Sequence, residues 1–291
     1  MYAFGLCIDR QYLLPGLAAV TSLTDSLTPA ARRGAALRVL TMDLPPAHAL
    51  LLAHLAKRCG FGSFDLAYRP PLAASHMADD SYITITTYLR FEFTRDFVRR
   101  PYLIYLDADT HVRDDITSPL ASLQPGRIGA VADEFNPAVG ACPALPGAAD
   151  RWPHWRGRPY YNAGMLWAHT ADIPAMRQGV AGALVKHRAH ILHNDQDALN
   201  LWLLRTGRVH PVPSRFNRFE TGRFLERGEW VRRVVHRSLR PDPSAALVHF
   251  VGPEKPWSSL CPPTDDVRDY RAHLRTTNRH VRRLGAVGAW Q

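Results

Sequence analysis

The chain has 291 residues, 46% of them apolar and 21% charged, with a formal net charge of +10. That length and apolar content predict one globular domain with a substantial core and exclude a disordered chain, and the lack of any run of about 18 apolar residues predicts no membrane-spanning helix. The positive charge is arginine's, since Lys57, Lys186 and Lys255 are the only lysines; these arginines are scattered, with no zinc-finger or RNP-like motif beside them, which argues against nucleic acid as the partner.

The N-terminus shows no basic segment followed by an apolar run and a small-residue cleavage site, which predicts a cytoplasmic protein. Cys7, Cys59, Cys142 and Cys261 are dispersed, with no C-x-x-C pair, and predict reduced thiols rather than a structural zinc site. In chain order, Ala3 to Asp9 reads as a buried strand and Leu14 to Leu27 as a helix. Ala36 to Met42 is a second strand, Pro45 to Cys59 a helix with proline near its start, and Phe64 to Tyr68 a short third strand. Thr86 to Phe97 reads as a helix leading into Tyr102 to Asp107, an apolar strand that ends on two carboxylates, Asp107 and Asp109.

In open α/β sheets ligands bind just beyond the carboxyl ends of strands. Two carboxylates there form a hard oxygen site, suited to a divalent metal and hence to a phosphate-bearing substrate; a solvated acidic turn is the plain alternative. Ile128 to Asp133 is a further strand. Asn136 to Pro159, rich in Pro, Gly and Trp, has no period and predicts an irregular surface excursion. The run YYNAGMLWA at Tyr160 to Ala168 places Asn162 just before a strand over Met165 to His169, with Gly164 permitting close backbone approach.

Asp172 to Ala189 and Asp195 to Thr206 read as helices, the second with Asn194 or Asp195 available as cap. Its first turn carries Asp195, Gln196 and Asp197, which the helix dipole alone would favour. Val209 to Val212 and Ala246 to Val251 are late strands, the latter running into HFVGPEKPW at His249 to Trp257. Taken singly, His249 reads as a packed histidine and Lys255 as a surface lysine. The βαβ rhythm predicts an α/β fold with a mixed, mostly parallel sheet flanked by helices. From Val267 the pattern changes: Val267, Tyr270, Leu274, Val281 and Leu284 fall at three- and four-residue steps, Thr277 fills the missing position, and arginines lie between. This is a basic amphipathic helix that docks on the domain or lies on an anionic membrane surface. The expected division is a domain over 1–263 with a helical extension over 264–291.

In this order, the D-x-D strand, the YYNAG and HNDQD segments and H-x-x-G-x-x-K-P-W resemble glycosyltransferase family 8. The resemblance runs from Phe4 to about Cys261, and SYITITTYLRF at Ser81 to Phe91 looks like the segment before the D-x-D strand in bacterial lipooligosaccharide α-galactosyltransferases. It implies a GT-A fold and a retaining transferase that takes a UDP-sugar, galactose or glucose, with a divalent metal. Asp107, Asp109 and His249 would hold that metal, and an imidazole ligand suits Mn²⁺ better than Mg²⁺. Lys255 and the Gly252 backbone would meet the diphosphate, and Asp9 the uracil. Arg90, Asp133, Asn162 and Asp195 would surround the donor sugar's hydroxyls, and Gln196 would face the anomeric carbon. Asp195 is the adjacent carboxylate with a claim to be a nucleophile instead.

The implied acceptor is a glycan, a glycolipid or a small natural product. Arg10 and Gln11 depart from the smaller polar or acidic residues that family members often carry there. Two other readings compete. A haloacid-dehalogenase-like phosphatase would use LIYLDADT for its nucleophile, but the later paired acids, Asp265 and Asp266, follow Cys-Pro-Pro-Thr and not an apolar strand. A non-catalytic sugar-nucleotide-binding protein is disfavoured because every site position carries a competent side chain.

Overall fold

The computed structural model describes residues 1–70, 85–222 and 242–283. The chain begins with β1 (Tyr2–Cys7), α1 (Leu13–Asp25), α2 (Pro29–Gly34), β2 (Ala36–Thr41), α3 (Pro46–Cys59) and β3 (Ser63–Tyr68). A 3-10 segment (Ile85–Phe91) and the short α4 (Arg95–Val98) lead to β4 (Tyr102–Leu106), β5 (Thr110–Val112) and β6 (Ile128–Ala132). Then come α5 (Ala148–Arg151), β7 (Tyr161–His169), α6 (Ile173–Lys186), α7 (Asn194–Thr206), β8 (Val209–Val212), β9 (Arg218–Phe219), β10 (Leu247–His249) and α8 (Asp265–Arg283).

Seven strands form one sheet in the order β3-β2-β1-β4-β7-β6-β8, and β5, β10 and β9 form a small second sheet. The large sheet is mixed and mostly parallel, as expected; only β7 runs antiparallel to its neighbours β4 and β6. The antiparallel turn arises because residues 133–160 return the chain to the strand beside β6 without a crossover helix. Both faces of the sheet are covered, so successive residues of β1 and β4 go to opposite cores. Ala3, Cys7, Leu103 and Tyr105 pack with the 3-10 segment, α6 and α7. Phe4, Leu6, Ile104 and Leu106 pack with α1 and α3.

Three expected elements differ. The helix expected over Thr86 to Phe97 is split into the 3-10 segment and α4. The β-branched Ile85, Thr86 and Thr87 disfavour a regular helix, and Thr94 restarts it by accepting the Phe97 N–H at 3.3 Å. The strand expected from Met165 starts at Tyr161, so Asn162 lies inside it. Its edge is held by Asn200 of α7, whose amide accepts the Tyr161 N–H and donates to the Tyr161 carbonyl, both at 2.7 Å. Neither Asn194 nor Asp195 caps α7; Asp197 does that work, accepting the Leu192 and His193 N–H groups at 2.6 and 2.7 Å. The excursion at Asn136 to Pro159 is irregular as expected, save for α5, a 3-10 turn (Pro153–Trp155) and the stacked Trp152 and Trp155 rings. The four cysteines are free.

The C-terminal amphipathic helix forms α8 and docks. Val267, Tyr270, Thr277 and Val281 are buried, and Val267 and Tyr270 join Ala18, Val248 and Phe250 in one apolar cluster. Thr277, the break in the apolar repeat, bonds Thr21 of α1 at 2.8 Å, and His273 Nε2 lies 2.8 Å from the same hydroxyl. Among the described residues the apolar stripe of the helix therefore faces the domain. Leu284, residues 81–84 of the SYITITTYLRF segment and the end of the extension lie outside the described residues. Among the described residues no helix is long and apolar enough to cross a membrane.

Under α8, the His111 ring of β5 packs against His273 (5.1 Å) and Tyr270 (6.1 Å). Burial, then the neighbouring His273 and Arg113, pushes the His111 pKa from 6.5 down to about 3, and burial lowers His273 as well. The unfolded imidazoles take up protons near pH 6.5 while the folded ones refuse them. Stability is therefore complete above that pH and declines as pH falls toward 3, by about 1.4 kcal/mol per pH unit for His111, with His273 adding in the same direction. Thermal unfolding measured between pH 7 and 4.5 should show this decline, and His111→Phe should make it shallower.

Candidate active site

Strands β2 and β4 leave β1 on opposite sides, so the large sheet has its switch point between β1 and β4, where α/β sheets open a crevice for ligands. A cleft of about 240 Å³ lies there. Asp9 enters it from the turn after β1, Asp107 and Asp109 from the end of β4, Asp133 from the end of β6, and Asn162 from the start of β7. Asp195 and Gln196 come from the first turn of α7, Arg90 from the 3-10 segment, and His249, Gly252 and Lys255 from β10 and the loop beyond it. Every residue to which the family resemblance gave a role at the donor, the metal or the anomeric carbon lines this one cleft.

Asp107, Asp109 and His249 each offer a ligand atom, and these atoms all lie within 4.8 Å of one another. His249 Nε2 is 3.3 Å from Asp109 Oδ1 and 3.8 Å from Asp107 Oδ2. Gly164 makes this cluster possible. Its carbonyl accepts the Asp107 N–H at 2.9 Å, and a Cβ on it would stand 2.3 Å from His249 Cε1 and 2.7 Å from Asp107 Oδ2. The remaining oxygens are held by cations and hydroxyls. Lys255 Nζ donates to Asp109 Oδ2 at 2.5 Å and to the Phe250 carbonyl at 2.9 Å. Tyr105 donates to Asp107 Oδ1 at 2.5 Å, and Arg90 Nη2 lies 3.3 Å from the same oxygen. Lys255 and His249 hold the Asp109 carboxyl well below the usual carboxylate range, against the upward push of burial.

On the other side of Arg90 lies Asp195, its Oδ2 3.2 Å from Nε. That N–H is aimed at the Thr87 carbonyl, 2.7 Å away, so Asp195 Oδ2 is buried without a hydrogen bond among the described residues. Burial raises the Asp195 pKa, Arg90 opposes the rise, and the Asp107 charge adds to it. Asp195 lines the cleft, and a buried oxygen held by an ion pair alone keeps capacity for a further donor. Asp133 is saturated instead: Oδ1 accepts the Phe135 and Asn136 N–H groups, and Oδ2 accepts from Asn162 and Gln196. Asp9 accepts the Tyr12 N–H and the Thr86 hydroxyl. Asp265 and Asp266, the paired acids a phosphatase would need, open α8, and Asp266 pairs with Arg113.

The charged residues lining the cleft are Asp9, Asp107, Asp109, Asp133 and Asp195 against Arg90 and Lys255. A protein with ten surplus positive charges therefore keeps an excess of carboxylates in its cleft. A polyphosphate entering alone would meet like charge; a divalent cation on two carboxylates and an imidazole removes that repulsion, and the donor set fits one. Sequence reasoning missed Tyr105 and Asn217. Tyr105, two residues before Asp107 on the same strand face, was within reach of the period-two pattern. Asn217, in Arg-Phe-Asn-Arg-Phe, carries no such signal.

The sheet order and the cleft at its switch point define an α/β nucleotide-sugar-binding fold of the GT-A type. A model of the family described as Glycosyl transferase family 8 matches residues 5–261, and the chain belongs to that family. Among solved structures it resembles the galactosyltransferase LgtC in complex with donor and acceptor sugar analogues, at 22% identity and a TM-score of 0.71, over 94% of this chain and 95% of that one. It also resembles the apo-form glycosyltransferase GlyE of Streptococcus pneumoniae TIGR4, at 18% identity and a TM-score of 0.66, over 96% of this chain and 64% of that one. Mouse xyloside xylosyltransferase 1 in its apo form is 13% identical, with a TM-score of 0.60, over 86% of this chain and 97% of that one. At such identities these likenesses show the fold. No curated protein matches the sequence.

Gly164→Ala should force His249 and Asp107 apart. Titration with divalent cations should show any affinity of the site reduced at least tenfold, on the order of what lost ligand positioning costs, while overpacking lowers stability by only about 1–3 kcal/mol.

Proposed function

We propose that the chain is a metal-dependent, retaining glycosyltransferase that moves galactose or glucose from a UDP-sugar to a hydroxyl acceptor, with α configuration in the product. The observation that carries this reading is the acidic cleft whose two metal-compatible carboxylates stand beside one lysine and one imidazole. Family membership over residues 5–261 supports it and fits a catalytic domain over 1–263 with 264–291 as its extension.

In this reading Asp107, Asp109 and His249 hold the cation, Mn²⁺ in preference to Mg²⁺. When bound it acts as a Lewis acid that neutralises charge on the departing diphosphate. Lys255, now on Asp109, adds a second positive charge to the same phosphates, and the Gly252 backbone, with φ +82, approaches them without a side chain in the way. Asp9 receives the uracil. Asp195 and Arg90 hold the donor sugar's hydroxyls, the unfilled Asp195 Oδ2 supplying an acceptor, with Asp133 and Asn162 beside them.

Gln196 faces the anomeric carbon. Its amide is fixed by Asn162 Nδ2 at 2.9 Å, Ala163 N–H at 3.0 Å and Asp133 Oδ2 at 3.0 Å, so its dipole needs no reorganisation when oxocarbenium-like charge develops. An amide is a poor nucleophile, which favours attack from the face the diphosphate leaves, with a phosphate oxygen helping to take the acceptor's proton. The acceptor, a glycan, glycolipid or small natural product, enters beside Phe135 and Phe219, two lining residues whose rings pack together with centroids 5.7 Å apart.

Incubation with UDP-galactose or UDP-glucose and a panel of acceptors should give Mn²⁺-dependent transfer, with an α-anomeric proton by NMR. Gln196→Ala should lower kcat by about 10²–10³ with little change in KM. A β-linked product, or a glycosyl adduct trapped on Asp195, would contradict same-face attack. UDP binding with neither hydrolysis nor transfer would favour the binding-protein reading.

A further inference from the structure

Asn217 ends the 3-10 turn Ser214–Asn217, is fully buried, and sits between His249 and Asn162. Its Nδ2 donates to Asn162 Oδ1 at 2.9 Å, and its Oδ1 lies 3.0 Å from His249 Nδ1. These amides have only one consistent orientation. The Gly164 N–H is a backbone donor, and it reaches the Asn162 side chain at 2.8 Å, so the atom it meets is the oxygen. That oxygen also faces Asn217, which must present its NH₂; turned over, it would set oxygen against oxygen. Asn217 is left with its carbonyl toward His249. A carbonyl only accepts, so His249 Nδ1 carries a hydrogen, which leaves Nε2, the nitrogen nearest Asp109 and Asp107, as the one a cation would take.

We infer that Asn217 is a positioning residue that fixes His249 in the Nδ1–H tautomer, presents Nε2 as a metal ligand, and ties that ligand to the amides around the donor sugar. The inference rests on the reading of Asp107, Asp109 and His249 as a metal site. Ligating histidines depend on such a partner on their second nitrogen for both tautomer and ring orientation. Here Phe219 adds a wall, its ring edge-on to the imidazole at 5.6 Å. The tie continues from Asn162 Nδ2 to Gln196 Oε1, an oxygen that the Ala163 N–H identifies just as Gly164 identifies the first. Two consecutive backbone N–H groups of β7 thus set the polarity of the whole run from His249 to Gln196.

The test combines long-range ¹H–¹⁵N spectra of metal-free, ¹⁵N-histidine-labelled protein with Mn²⁺ titration of the wild type, Asn217→Leu and Asn217→Asp. Wild-type His249 should show its hydrogen on Nδ1. Asn217→Leu should lose that pattern and bind Mn²⁺ about 10–100-fold more weakly. Asn217→Asp still accepts from Nδ1–H but offers no N–H to Asn162, so it should keep the tautomer and an affinity of the wild-type order. If the leucine variant does not fold, the wild-type spectrum and the aspartate variant decide. An Nε2–H wild type, a leucine variant that binds like wild type, or an aspartate variant that has lost the tautomer overturns the inference. A wild type with the expected tautomer that binds no Mn²⁺ overturns the metal reading and Asn217's role in presenting a ligand, and differs visibly from the other failures.

Discussion

Five carboxylates brought to one cleft at the β1–β4 switch point are the constraint around which this molecule is arranged. Like charges at close range in a partly dry site cannot coexist without compensation. Each carboxylate has a different solution. Asp133 is saturated by backbone and amide N–H groups, Asp9 by a turn N–H and a hydroxyl, Asp109 by Lys255, and Asp107 by Tyr105 and Arg90. Asp195 keeps one oxygen unfilled and a raised pKa. The compensation is enough to fold the site and leaves it receptive to added positive charge and to hydroxyl donors, the two things that a cation and a sugar bring.

The rest of the fold holds that arrangement in place. β7 runs antiparallel in an otherwise parallel sheet, and this brings its amino end, with Asn162, Ala163 and Gly164, beside the carboxyl ends of β4 and β6. Asn200 clamps α7 to that end of β7, so that Gln196, one turn earlier, lies over Asn162. The small sheet does the same for His249: β10 pairs with β5, which follows directly from the D-x-D turn, and the Phe250 N–H is accepted by the Asp109 carbonyl at 3.0 Å. α8 closes the outside of that small sheet. A helix at the end of the chain thereby supports the imidazole at the centre of the cleft.

Much of this was legible in the sequence because strand ends and chemistry-bearing residues are local features. The apolar run stopping at Asp107 marks both the end of β4 and the cleft, and the ordered family segments gather the remaining carboxylates, Lys255 and His249. Less legible was whatever depends on which residues meet across the fold. Asp195 and Asp197 look alike in the first turn of α7, yet one faces the cleft and the other caps the helix and accepts from Tyr160. Thr277 looks like a flaw in an apolar stripe until Thr21 is found opposite it. Asn217 has no local signature, because its role exists only where three elements converge.

The central claim is that the acidic cleft becomes a nucleotide site when a divalent cation occupies it. Isothermal titration of UDP into the protein tests this most directly, with Mn²⁺ present, with EDTA, and with Asp109→Ala beside the wild type. The account predicts UDP binding that requires both Mn²⁺ and Asp109. Binding that is indifferent to EDTA and to Asp109→Ala, or no UDP binding with Mn²⁺ present, would contradict it.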